Sequence, residues 1–371
     1  METKHQKEPW VRIAKRDAMP FWKAWGIRLL AILLALAVCA ALIYGVTKFN
    51  PIKVYQAMFD GALGAPRRVW NTLRDTMLLL GIAIAITPAF KMRFWNIGAE
   101  GQILVGGIAT AAVLRYCANV PAGVLFPLMI VVSIAAGLIW GVIPAFFKAH
   151  WNTNETLFTL MMNYVAIQLT AFFGILWEAR KGSGSVGTIN SETGAGWIPT
   201  DFLSGLFGNF NYSISVITIL AITLFMYVYL KYTKQGYEIS VVGESENTAR
   251  YAGISVKKVI LRTMALSGAI SGLVGFIIVS GSSHTISTDT AGGRGFTAII
   301  VSWLAKFNPF AMILISFLLI FIEKGAGQIA SQFNLDQSAS DVLTGIILFF
   351  ILGCEFFIQY RLIFRKKGAE E

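Results

Sequence analysis

Phe94–Gln102 reads FWNIGAEGQ and runs straight into the apolar stretch ILVGGIATAAVL, which starts at Ile103. Gly98 and Gly101 let the chain turn, and Asn96, Glu100 and Gln102 bring polar groups to a place bounded on both sides by hydrophobic helix. Unwound backbone is tolerated at membrane depth only where protein or a water-filled cavity satisfies its polar groups. The stretch therefore reads as a helix break whose own side chains supply those partners. Glu100 has two readings here: a residue of a transport path, or a cap on the helix that starts near Ile103.

The rest of the chain supports a membrane setting. Of 371 residues 56% are hydrophobic and only 14% charged, against about 25% charged in a soluble protein, and the mean hydropathy is +0.64. Cys39, Cys117 and Cys354 sit in or beside apolar runs without metal-like spacing and read as packing residues. LAVC, Leu36–Cys39, resembles a lipoprotein cleavage site, but Val38 is large where a small residue is wanted. Seven Lys/Arg lie within residues 1–28, so an uncleaved first span is expected.

Ten apolar segments follow, at about 27–46, 76–90, 103–116, 120–147, 156–178, 214–230, 263–281, 295–305, 309–323 and 339–360. An alternative count of eight treats 76–90 and 295–305 as re-entrant. With ten crossings and both termini inside, the inner segments hold 21 Lys/Arg and the outer ones 10, the asymmetry of the positive-inside rule. The net charge of +11 then faces the anionic inner leaflet and calls for no nucleic-acid partner. The expected fold is an all-α polytopic membrane protein of about ten transmembrane helices. A basic cytosolic segment, 1–26, precedes one permease domain, 27–360, and a cytosolic tail, 361–371, follows it.

Segments 76–90 and 295–305 span only about 22 and 16 Å at 1.5 Å per residue, short of a ~30 Å core. Each adjoins a Gly-rich polar break, FWNIGAEGQ on the inner side and STDTAGGRGF, with Gly292, Gly293 and Gly295, on the outer side. Blocks 76–178 and 263–360 thus read as inverted helical repeats around one site, as in transport pathways, or as helices joined by ordinary tight loops.

The longest inner loop, Lys231–Arg262, exceeds what a simple connection needs. Ser245 or Asn247 is placed to cap a short helix through Ala249 and Tyr251 that Gly253 ends. It is either a handle for a cytosolic partner or a solvated basic loop. No Gly-rich loop ending in Gly-Lys-Ser/Thr is present, nor any Ser/His/Asp, paired-carboxylate or His/Cys metal constellation, so the sequence speaks against an enzyme. Few acidic residues other than Glu100 and Glu355 fall in the spans, which argues against an ion-coupled secondary transporter.

FWNIGAEGQ, together with NETLFTLMMNY (Asn154–Tyr164), GESENTARYAGISVKKVI (Gly243–Ile260) and GFTAIIVSWLAKFNPFAMI (Gly295–Ile313), resembles permease subunits of ATP-binding cassette importers. The similar branch carries nucleosides and simple sugars, alongside ribose and branched-chain amino acid permeases. The resemblance implies a multi-pass protein of the bacterial inner membrane that binds no cofactor itself, while ATP and Mg are used by separate cytosolic ATPase subunits. It further implies a second permease, here a different and shorter one, and an external lipoprotein or periplasmic binding protein. The loop 231–262 is similar to the coupling helix that docks on the ATPase, which makes Glu244, Asn247, Ala249, Tyr251 and Gly253 the coupling candidates. The external loop 179–213 is long for such a subunit. Trp95 and Trp303 are bulkier than the family pattern.

For the cargo, no Lys or Arg falls near the middle of a span, which favours a neutral solute. Asn96, Gln102, Asn163 and Gln168 offer amides, and Phe94, Trp95 and Tyr164 offer flat apolar faces. That combination suits a nucleoside, with a simple sugar next and branched-chain amino acids third. Any of these aromatics also reads as packing or as part of the interfacial belt.

Overall fold

The computed structural model describes residues 11–16, 19–199, 212–334 and 337–364. Parts of the expected N-terminal segment, external loop and C-terminal tail lie outside these residues. Among the described residues there are thirteen α-helices and two short strands: α1 (Phe21–Thr47), α2 (Pro51–Leu63), α3 (Pro66–Lys91), α4 (Ala99–Tyr116), α5 (Ala122–Trp151), α6 (Glu155–Leu176), α7 (Ser213–Tyr232), α8 (Lys234–Glu244), α9 (Glu246–Tyr251), α10 (Val256–Ile278), α11 (Arg294–Leu304), α12 (Pro309–Gln332) and α13 (Gln337–Gln359), with β1 (Val11–Lys15) and β2 (Tyr360–Phe364). Among the described residues eight helices are long and apolar enough to cross a membrane. The chain is an all-α polytopic membrane protein.

Two compact units divide the chain. In the first, Met1–Ala65 with Phe321–Glu371, β1 pairs antiparallel with β2 from Val11↔Phe364 to Lys15↔Tyr360. This pairing, which the sequence reading did not foresee, joins the strand before α1 to the strand after α13. α1 packs along α13. Arg28 donates to Glu355 at 2.6 Å, so the acidic residue noted in the last span has its counter-charge. Asn50 caps α2, accepting from the Ile52 N–H at 2.9 Å, and Pro51 occupies its first position.

The second unit, Pro66–Ile320, is organised around α3 and α10, both buried over most of their length. α10 packs on α5, α4 and α3, while α3 also meets α11 and α7, and α4 meets α6. Backbone lies on backbone at the α4–α5–α10 junction. A Cβ on Gly268 would run into the Gly137 carbonyl, and one on Gly141 would sit 2.8 Å from the Met264 carbonyl oxygen. These are small-xxx-small seams, Gly137-x3-Gly141 on α5 and Gly268-x3-Gly272 on α10, which let apolar helices approach closely where burial from water cannot drive them together.

Segment 76–90 is not short. It is the inner part of α3, whose 26 residues reach about 39 Å, because the polar stretch before Thr76 is helical as well. Segment 295–305 is short as expected, forming the 11-residue α11. The helix that accompanies it as less than a full apolar span is α4, with 18 residues. Block 66–176 and block 256–359 thus share one order: a long helix, a polar break, a shorter helix and two long ones.

Candidate functional site

α3 ends at Lys91, and the chain turns back through Arg93, held at φ +60°. α4 begins at Ala99, so the GAEGQ of the signature is already its first turn. The freed backbone between them is satisfied from α6 and from Asn96 of the break itself, whose side chain α10 holds. Asn163 accepts the Gly101 N–H at 2.8 Å and donates to the Ile97 carbonyl at 2.8 Å. Thr159 accepts the Ile97 N–H at 3.2 Å. Asn96 accepts the Gly98 N–H at 3.0 Å and donates to Ser267 Oγ at 3.2 Å, and Gln102 Nε2 donates to Asn96 Oδ1 at 3.4 Å. A bare break at this depth would leave several polar groups unpaired, each costing about 1–3 kcal/mol.

Glu100, in the first turn of α4, makes its hydrogen bonds on the second break. Its carboxylate accepts the Gly293 N–H on one oxygen and the Gly295 N–H on the other, both at 2.7 Å. It therefore caps α11, a helix almost two hundred residues away, from its own place in the first turn of α4. A Cβ on Gly295 would lie 2.7 Å from Glu100 Oε2, so only glycine fits there. Gly293, at φ +70°, turns the chain into α11.

The two breaks, expected on opposite faces, meet. The first rises from the Lys91 end of α3 and the second descends from His284 beyond α10, until Glu100 joins them. Beside this junction Arg294 reaches Asp75 of α3 at 3.5 Å, and Asp75 also accepts from Arg74 Nε at 2.9 Å. Arg294, the first residue of α11, is thus held against a buried carboxylate. Asp75 was missed because the apolar run was begun one residue after it.

At the Lys91 end the aromatic pair noted for its bulk comes together. Trp95 and Trp303 stack with centroids 5.5 Å apart and planes 20° from parallel, and Phe90 meets both edge-on. Both tryptophans remain about half exposed, whereas Phe94, Asn96, Glu100, Gln102 and Asn163 are all buried. Tyr164 is exposed beside Met161 and Val165 on the apolar outer side of α6. Among the first break's amide atoms, Gln102 Oε1 is left without a protein partner.

The coupling candidates fall on α8–α9. Ser245 caps α9, accepting the Thr248 N–H at 3.3 Å, and Gly253 ends it at φ +73°. Glu244, Asn247 and Gly253 are exposed and Tyr251 almost fully so. Ala249 is buried and packs the helix against its own chain. Gly243 lies so close to the Lys91 carbonyl that no side chain would fit, which places α8 directly against the start of the first break.

Comparison with known proteins agrees with this architecture. The family described as the permease component of branched-chain amino acid transport systems matches residues 68–352, and the chain belongs to it. It is 30% identical to a guanosine ABC transporter permease of Bacillus subtilis over 92% of this chain and 97% of that one. It is 27% identical to a glucose ABC transporter permease of Haloferax volcanii over 97% and 96%, and 27% identical to a nucleoside ABC transporter permease of Lactococcus lactis over 82% and 84%. No solved structure matches the chain. It is a multi-pass permease subunit of the bacterial inner membrane, a transport component and not an enzyme, which works with ATPase and substrate-binding partners.

Proposed function

We propose that this chain is one of two different permease subunits of an ATP-driven importer of nucleosides, the other being shorter, and that it works by alternating access. ATP and Mg2+ are used by the separate ATPase, and an external lipoprotein or periplasmic protein delivers the cargo. The observation that carries the reading is the continuity from α9 to the break. An exposed docking helix ends in Tyr251, and α8 beside it presses Gly243 on the Lys91 carbonyl, a few residues before FWNIGAEGQ. ATP drives the cycle by favouring one conformation of the ATPase, and α8–α9 is the lever that passes this to the junction. Local charge supports a neutral cargo, since Arg294 is balanced by Asp75 and by the nearby Glu100.

The guanosine and nucleoside permeases among its relatives support the nucleoside reading, and the glucose permease supports a simple sugar as second reading. In the reconstituted complex, excess nucleoside is expected to compete with labelled guanosine uptake. Inhibition by ribose, glucose or leucine but not by nucleosides overturns it. Uptake by this chain alone, driven by a proton or sodium gradient, overturns the ATP-driven mechanism.

A further inference from the structure

The polar side chains of the first break are turned into the protein, and those of residues 287–289 in the second are not. Ser287, Thr288, Asp289, Gly292 and Gly293 are exposed, and the next turn presents Phe296, 44% exposed, with Trp303 on the same side of α11 two turns on, 46% exposed. Their depth follows from α11 itself. It starts at the Glu100 junction and ends where Trp303 meets Phe90, next to the terminal Lys91 of α3. Eleven residues are about 16 Å, so the junction stands about halfway through a ~30 Å core. A turn with exposed hydroxyls and a carboxylate at Ser287, Thr288 and Asp289, on the way down to that depth, cannot face hydrocarbon. An aspartate at a helix centre costs about 3 kcal/mol. The apolar outer side of α6, with Met161 and Phe172, has no such obstacle to meeting lipid.

We propose that Ser287–Gly293 and the Phe296–Trp303 side of α11 form this chain's wall of the translocation path, and that it takes an uncharged solute with a flat ring. The hydroxyls and carboxylate of residues 287–289 replace water around the polar part of the cargo. Phe296 and Trp303, seven residues or about 10 Å apart along the helix, offer two successive stacking faces. The stacked Trp95–Trp303 pair narrows the end of the wall next to α3. Selection of the flat-ring cargo rests on the nucleoside reading above, whereas water access to the wall does not.

The test is single-cysteine labelling in the assembled complex with Cys39, Cys117 and Cys354 replaced. Thr288→Cys and Phe296→Cys are expected to react with a charged, water-soluble methanethiosulfonate at least about tenfold faster than Met161→Cys or Phe172→Cys, because a thiol in apolar surroundings holds its proton a pKa unit or more higher. Guanosine with the binding protein present should slow the Phe296→Cys reaction. Equal rates at the wall and on α6 overturn the proposal. So does labelling that appears only in the chain separated from its partners, which would make this face a subunit contact. Fast labelling slowed by glucose and not by guanosine supports the wall and defeats the nucleoside reading. Fast labelling that neither slows removes the stacking role. Should Phe296→Cys fail to assemble, Thr288→Cys and Ser287→Cys in the exposed turn read the same water access.

Discussion

Glu100→Gln changes the molecule at the one carboxylate that ties the two breaks together. The native group accepts two backbone N–H bonds at 2.7 Å and is almost fully buried. The amide keeps one acceptor and turns an NH2 donor towards the other N–H. A hydrogen bond to a charged group contributes about 1.5–3 kcal/mol, and an orphaned buried donor costs a similar amount, so the substitution should cost about 2–4 kcal/mol. Glu100→Ala leaves both N–H groups and takes a counter-charge from beside Arg294, for about 3–6 kcal/mol. At roughly 2 °C per kcal/mol for a long chain, the Gln variant should melt about 4–8 °C lower in detergent and the Ala variant lower still. Glu192→Gln, in an exposed loop, serves as the charge control and should melt as the native chain does. If Glu100→Ala melts within about 1 °C of native while uptake is abolished, Glu100 is a residue of the path and not a cap, and the junction described here is wrong.

Other expectations are as direct. Gly268→Val drives a branched side chain into the Gly137 carbonyl and should prevent a folded subunit from accumulating, seen as loss of the monodisperse complex on size exclusion, whereas Gly327→Val, with open space around it, should not. Tyr251→Asp should leave melting unchanged and abolish ATP-driven uptake, and normal uptake would remove α9 from the coupling role. With the three native cysteines replaced, an outside reagent should modify Ser185→Cys and spare Ser245→Cys, and the reverse would invert the orientation. Burial pushes the His284 imidazole below its ordinary value, where it stacks on Trp197 at 3.9 Å. Between that lowered value and about 6.5 the unfolded chain binds a proton that the folded one does not, so this contribution to stability is whole above the window and falls as pH drops through it. Protease cleavage of the 186–198 loop should therefore rise in mild acid for the native chain but not for His284→Phe.

The helices were legible where apolar runs and caps agreed. α5, α6, α7 and α10 fall close to the expected segments, and the Ser245 cap and Gly253 stop of α9 stand where the residue types put them. The length of α3 was hidden because hydropathy sees only the part that must avoid water, and Asn71, Arg74 and Asp75 continue the same helix with polar partners. The break itself was readable as a break. Its pairing was not, since nothing along the sequence connects Glu100 with Gly293, and Asn163 looks like a free amide until its partners on residues 97 and 101 are seen. The glycine seam did leave a signal, two Gly-x3-Gly repeats in apolar runs, which hydropathy alone passes over.

That seam decides where motion can occur. Where Gly137 and Gly141 of α5 meet Gly268 and Gly272 of α10 there are no side chains to change rotamer and take up a sliding step, and Gly106 and Gly275 bring α4 in on the same terms. Three helices locked main chain to main chain resist shear, as dense interiors do. Alternating access in this chain must then be a relative displacement of what the lock leaves out. The lock is a single rigid body, and α11, tied to it through Glu100 and resting along α3, is the short element beside it.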